Sequence, residues 1–168
     1  MRYVDWVKNA EKADVENFYV LNCDQKKKQH LALLNLCFGL VLLAFQLGAG
    51  FLNQSSSRTA WIFYPYILAF LPLAYFFFGA CHFFFCSPAL SQKQYSASLS
   101  RCKHSMRALL VLSALQIVLS LLYVFLKRQT LQQALFRELL YLAFLLLQTA
   151  ITVAYSVFFN KNLINTPV

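Results

Sequence analysis

Residues 31–52 read LALLNLCFGLVLLAFQLGAGFL, without one charged side chain. A bilayer's hydrocarbon core is about 30 Å thick, and a helix needs about 20 apolar residues to cross it. Strands of a barrel would alternate apolar and polar positions, and this run does not, so it predicts a spanning helix. Three further runs share its character. Residues 60–86 are uncharged and long enough for tilt or a bend. Residues 108–126 read ALLVLSALQIVLSLLYVFL, and residues 139–159 read LLYLAFLLLQTAITVAYSVFF. The expected fold is an all-α integral membrane protein. It is a four-transmembrane-helix antiparallel bundle with a kinked second span and a short N-terminal cytoplasmic helix. Short links, residues 53–59 (NQSSSRT) and 127–138, make sequence neighbours antiparallel; the longest connection covers residues 87–107.

Composition agrees with this reading. Of 168 residues, 60% are apolar and 12% charged, against about 45–50% and about 25% in soluble proteins. That excludes a disordered, a collagen-like or a soluble disulfide-scaffold protein. The net charge of +9 comes from 15 Lys and Arg against 6 Asp and Glu. The first thirty residues hold five of the six acids and are nearly balanced; the basic excess sits at the edges of the apolar runs. It reads as a topological address, not as a nucleic-acid surface.

The chain divides into a cytoplasmic tail with a basic collar (1–30), a membrane domain (31–160) and a second cytoplasmic tail (161–168). Thirty mostly polar residues precede the first run, so no cleavable signal peptide is expected. Within the tail, Val4, Val7, Glu11, Val15 and Phe18 fall at helical spacing, an interrupted amphipathic stripe. Lys26, Lys27, Lys28, Lys93, Arg101, Lys103, Arg107 and Lys161 flank the runs on one side; Arg58, Lys127, Arg128 and Arg137 flank them on the other. The larger group places both termini in the cytoplasm. Lys26, Lys27 and Lys28 orient the first span and would also attract anionic lipid.

Three runs carry a stripe of polar or small residues. Asn35, Gly39, Gln46 and Gly50 share a face of the first; Ser113, Gln116, Ser120 and Tyr123 mark the third; Tyr141, Gln148, Thr152 and Tyr155 mark the fourth. Such side chains pack and hydrogen-bond across helix interfaces; the alternative is a polar pathway for a solute or water. The second run is instead aromatic. Its Pro65 and Pro72, seven apart, each remove a helix hydrogen bond and predict a bend.

Catalytic sets are sparse. Glu138 is the one acid beyond Asp24, in the first turn of the fourth helix, where the macrodipole favours it. Intramembrane chemistry usually needs ionisable groups within the spans, and phosphate-binding loops are not apparent. No enzyme activity and no cofactor are expected. Cys81, Cys86, Cys102 and His104 are weak metal candidates, all near the cytoplasmic edge. Cys81 and Cys86, five apart, splay by roughly 140° on a helix, whereas structural zinc prefers C-x₂₋₄-C spacing. Acylation of these cysteines is a further alternative. The expected function is that of a non-enzymatic accessory or interaction subunit of a complex in a bacterial cell membrane. Its partners would be the lipid bilayer and other membrane subunits or further copies of itself. A small transporter or channel-like oligomer is the alternative, and a membrane thiol or metal protein the third.

Overall fold

The computed structural model describes residues 19–21, 25–52, 55–86, 89–127, 135–162 and 165–167. The helix expected over residues 4–18 lies outside them, as does Lys161's side chain. The elements run in the order β1 (Tyr19–Leu21), α1 (Gln25–Phe51), a 3-10 turn (Ser55–Arg58), α2 (Ala60–Leu68), α3 (Phe70–Phe85), β2 (Ala89–Leu90), α4 (Gln92–Tyr95), a π turn (Ser96–Ser100), α5 (Arg101–Leu126), α6 (Leu135–Asn162) and β3 (Asn165–Pro167).

Four helical stretches are long and apolar enough to cross a membrane: Gln25–Phe51, Ala60–Phe85, Lys93–Leu126 and Leu135–Phe159. The basic collar belongs to the first of them, because α1 begins at Gln25. Most of the connection expected over residues 87–107 is likewise helical, as α4 and the π turn lead into α5. The second stretch is divided at Ala69, between Pro65 and Pro72. Ala69 keeps right-handed torsions and donates its N–H to the Pro65 carbonyl at 3.1 Å.

Each stretch turns one face inward. On α5 the buried residues Cys102, Ser105, Met106, Leu109, Ser113, Gln116, Ser120 and Tyr123 recur at spacings of mostly three and four, the period of one helix face. The opposite face exposes Val111, Leu115, Val118, Leu121, Leu122 and Phe125. The inside thus carries the amides and hydroxyls while the outside is apolar, the inverse of a soluble bundle. A helix apolar on its outer face needs an apolar surrounding. Helix α1 packs mainly against α3 and α6, and α5 against α2, α3 and α6, so the four stretches form a ring in sequence order. The apolar core fills it at three levels: around Leu42, Phe76 and Met106 in the middle, Ile62, Tyr123 and Tyr141 at one end, and Ala32, Phe83 and Leu99 at the other.

A close backbone approach holds the π turn against α3. A Cβ on Gly79 would stand 2.9 Å from the Ser98 carbonyl oxygen and 2.9 Å from the Cys102 sulfur. Only glycine leaves room there.

At the same end lies a small antiparallel sheet in the order β2-β1-β3. Tyr19 pairs with Leu90 and with Pro167, Val20 with Ala89 and with Thr166, and Leu21 with Asn165. This sheet is an addition to the all-α expectation. Strands of two or three residues are too short to display an alternating pattern.

Candidate functional site

The polar stripes meet inside the ring. Asn35, Gln46, Ser113, Gln116, Ser120, Gln148 and Thr152 are all buried. They arise at inward positions because each continues the three-and-four spacing of its helix. Gln46 and Gln148 bond directly across α1 and α6, with the Gln148 amide nitrogen donating to Gln46 Oε1 at 2.9 Å. Gln46 Nε2 in turn donates to the Tyr66 carbonyl at 3.0 Å, and the Tyr66 hydroxyl donates to the Gln46 carbonyl at 3.0 Å. This reciprocal pair joins α1 to α2. Thr149 donates to the Ser113 hydroxyl at 3.1 Å, joining α6 to α5.

Deeper along α1, a second polar node lies beneath the aromatic core. The Tyr155 hydroxyl donates to Asn35 Oδ1 at 2.9 Å. Asn35 Nδ2 lies 3.7 Å from the Cys102 sulfur, which itself lies 3.7 Å from the Phe76 carbonyl. Four helices therefore contribute to one node. The Tyr155 ring packs edge-on against Phe38 and Phe76 and stacks on Phe159 with centroids 4.4 Å apart.

Seven buried polar atoms in the opposite half make no hydrogen bond. They are Ser56 Oγ, both amide atoms of Gln116, Ser120 Oγ, Glu138 Oε2, Tyr141 OH and Gln148 Oε1. They extend from the Gln46–Gln148 pair toward the connection between α1 and α2. Glu138 lies in the first turn of α6, as expected, but it is buried there, only 1% exposed. Its Oε1 accepts the Ser56 backbone N–H at 2.9 Å, which ties the 3-10 turn to the first turn of α6.

Lys28 is the second residue whose surroundings differ from its neighbours'. Lys26 and Lys27 are exposed, but Lys28 is buried. Its ammonium donates to the Phe84 carbonyl at 3.1 Å and to the Cys86 carbonyl, and stands 5.3 Å from the Phe83 ring centroid. A cation there satisfies the last carbonyls of α3 and opposes the negative end of its dipole. Of the other basic positions, Lys93, Lys103 and Arg107 are exposed, while Arg101 stands 4.8 Å from the Tyr75 ring centroid.

The four metal candidates do not converge. Cys102 is buried at the Asn35 node, Cys81 and His104 are exposed, and Cys86 is half-buried beside His82 at 3.2 Å. His104 bonds the Ser100 carbonyl at 2.7 Å. Among the described residues no group of three or more His, Cys, Asp or Glu is placed to hold a metal. Pro65 is buried and Pro72 half-buried.

Lys28 and Glu138 were legible as inward residues from heptad spacing alone. Lys28, Asn35, Leu42 and Ala49 stand seven apart, as do Glu138, Leu145 and Thr152. Comparison with protein-family models, curated proteins and solved structures gave no match to this chain.

Proposed function

We propose that the chain is a multi-pass protein of a bacterial cell membrane that acts without catalysis, as an accessory or interaction subunit of a membrane complex. Its four spans run antiparallel, the second is bent where Pro65 and Pro72 free backbone carbonyls, and both termini lie in the cytoplasm. The observation that carries the subunit reading is the outward aromatic face of α2 and α3. Trp61, Phe63, Tyr64, Tyr75, Phe78, Phe84 and Phe85 are all exposed there, whereas the polar side chains are turned inward. Large rigid rings supply contact area at low entropic cost and are favoured at protein interfaces.

Contacts support the antiparallel order. Lys28, early in α1, meets the end of α3, and Gln46, late in α1, meets Tyr66 in α2. The sheet supports termini on one side, since it joins β1, β3 and the connection that carries Lys93. The excess of Lys and Arg on that side favours the cytoplasm.

The deciding experiment is mild extraction of the tagged chain from native membranes, followed by identification of co-purifying proteins. A stoichiometric membrane partner is expected; a chain that purifies alone in every mild detergent refutes the subunit reading. Orientation is checked with Ser96→Cys, an exposed position in the connection before α5. An impermeant thiol reagent should label it only after the cells are opened. The transporter reading is favoured by one specific observation, the unpartnered atoms of Gln116, Ser120, Tyr141 and Gln148. It requires that Gln46→Leu, Gln116→Leu and Gln148→Leu alter solute flux in vesicles.

A further inference from the structure

We propose that Arg101 anchors the phosphate of one anionic phospholipid on the outer surface of the bundle, between α3 and α5. The inference rests on the chain spanning a membrane and is independent of the subunit reading.

The spans differ in where their charge begins. Ala32 of α1, Phe83 of α3 and Leu99 of the π turn pack in one cluster, with Phe159 of α6 against it, so they share a level. Inward of that level, residues 32–52, 60–83 and 139–159 contain no Lys, Arg, Asp or Glu. On α5 the same direction meets Arg101, Lys103, His104 and Arg107 before the apolar run opens at Ala108. Leu99 and Arg107 are eight residues apart, about 12 Å along a helix. The polar boundary therefore dips beside α5, to a depth where α1, α3 and α6 are still uncharged.

Arg101 sits in that dip. A Cβ on Gly79 would stand 3.3 Å from the Arg101 Cβ, which places the two residues side by side. The guanidinium stands 4.8 Å from the Tyr75 ring centroid. Tyr75 precedes Phe85, the last residue of α3, by ten positions, about 15 Å along the helix. A long cation in a bilayer ordinarily snorkels toward the nearer edge; this one reaches inward instead. Its Nε is buried without a hydrogen-bond partner, and among the described residues no hydrogen bond or ion pair reaches the guanidinium. Glu138, the one acid among the described residues, is tied to Ser56 at the opposite end of the bundle.

A guanidinium cannot shed its proton, and an unpaired charge at this depth is costly. An anion must therefore come to it. Its planar fork fits the oxygens of a phosphate two at a time. The surface around it is apolar: Tyr75 and Phe78 are exposed on α3, and Ala108 and Leu115, which follow Arg101 at intervals of seven on one side of α5, are exposed as well. A molecule with both a phosphate and acyl chains covers the cation and this surface together. Headgroups already line the bilayer edge, and local thinning of the bilayer lets one settle to the depth of a cation. Lys103, His104 and Arg107 are exposed beside the site, so a lipid of net negative charge is favoured over a zwitterionic one.

The full-length protein, purified in detergent, is titrated with phosphatidylglycerol and with phosphatidylcholine of the same chains, and bound lipids are counted by native mass spectrometry. One phosphatidylglycerol should bind about tenfold more tightly than phosphatidylcholine, the value of one charge-assisted contact. Inorganic phosphate should not displace it, because the acyl chains also hold the lipid. Arg101→Gln should remove the tight lipid, and Arg101→Lys, which keeps the charge but not the fork, should weaken it by a smaller factor. Arg58→Gln, at the opposite end, should change nothing. Helical circular dichroism reports whether each variant folds; if Arg101→Gln does not, Arg101→Lys and Tyr75→Leu must each weaken the tight lipid. The proposal is overturned by any of three results: no preference for phosphatidylglycerol in the wild type, a tight lipid that survives Arg101→Gln, or displacement by inorganic phosphate. A co-purifying protein that is lost with Arg101→Gln, while the wild type shows no lipid preference, overturns it in favour of a partner's carboxylate. Alkaline extraction of native membranes tests the spanning separately: release of the chain refutes that reading, whatever lipids bind.

Discussion

Replacing Gln46 by Leu should destabilise the bundle more than replacing Gln148, even though the two amides share a hydrogen bond. Gln46 makes two bonds, accepting from Gln148 at 2.9 Å and donating to the Tyr66 carbonyl at 3.0 Å. Gln148 makes one through its side chain, and its Oε1 is already unpartnered. Interhelical hydrogen bonds in membranes average about 0.6 kcal/mol, so Gln46→Leu loses about 1.2 kcal/mol directly. It also strands the whole Gln148 amide in the interior, at about 1–3 kcal/mol more. The expected cost is about 2–4 kcal/mol. Gln148→Leu loses one bond of about 0.6 kcal/mol and exchanges one unsatisfied oxygen, its own Oε1, for another, Gln46 Oε1, so it should lie within about 1 kcal/mol of the wild type. The double variant no longer contains a stranded amide and should be more stable than Gln46→Leu alone. Unfolding of the four proteins in mixed micelles, followed by helical circular dichroism across a denaturing-detergent titration, gives the full cycle. If Gln148→Leu proves the more costly change, or the double variant equals the sum of the singles, the hydrogen-bond pattern assigned to this pair is wrong.

Other outcomes follow from the same packing. Lys28→Met should destabilise by about 1–3 kcal/mol, the value of charge-assisted bonds to the partly buried Phe84 and Cys86 carbonyls, whereas Lys27→Met should leave the same unfolding titration unchanged. Gly79→Ala forces a methyl against the Ser98 carbonyl and should destabilise by about 1–3 kcal/mol. Gly48→Ala should cost less, because the atom in its way is the edge of the Phe144 ring, which can turn aside. Tyr155→Phe removes one bond to Asn35 but leaves the ring packing intact; a loss of about 0.6 kcal/mol, and no more than about 1.7, is expected in the same assay.

The helices were legible because a bilayer-length apolar run is an unambiguous signal, and residues 31–52 contain one. The inward faces were legible as well: Asn35, Gln46, Gln116 and Gln148 stand out against Leu-rich surroundings, and helical periodicity places each on a face. What a face meets is a different matter. Nothing local tells Lys28 from Lys27 except position in the heptad, and three adjacent lysines read first as a collar. Glu138 beside Arg137 reads as a solvated pair, yet rotation about the helix sends one inward and the other out. The paired strands join residues some 70 to 150 positions apart, a relation that no window of sequence contains. Cys81, Cys86, Cys102 and His104 lie near one another along the sequence of α3 and α5, but their directions around those helices keep them apart: Cys102 is buried while Cys81 and His104 are exposed.

The pairing of β1 with β3 also sets an order of biosynthesis. Tyr19–Leu21 is made before any of the long helices, and its partner Asn165–Pro167 only after all four. At about 5–20 residues per second, the strand waits roughly 7–30 s with one edge open. The four long apolar helices are made meanwhile, so the clasp can report only on a finished bundle. A chain halted before Asn165 keeps an unpaired strand edge, the kind of exposed edge that invites pairing with other chains. Completion of the bundle and concealment of that edge are thereby one event.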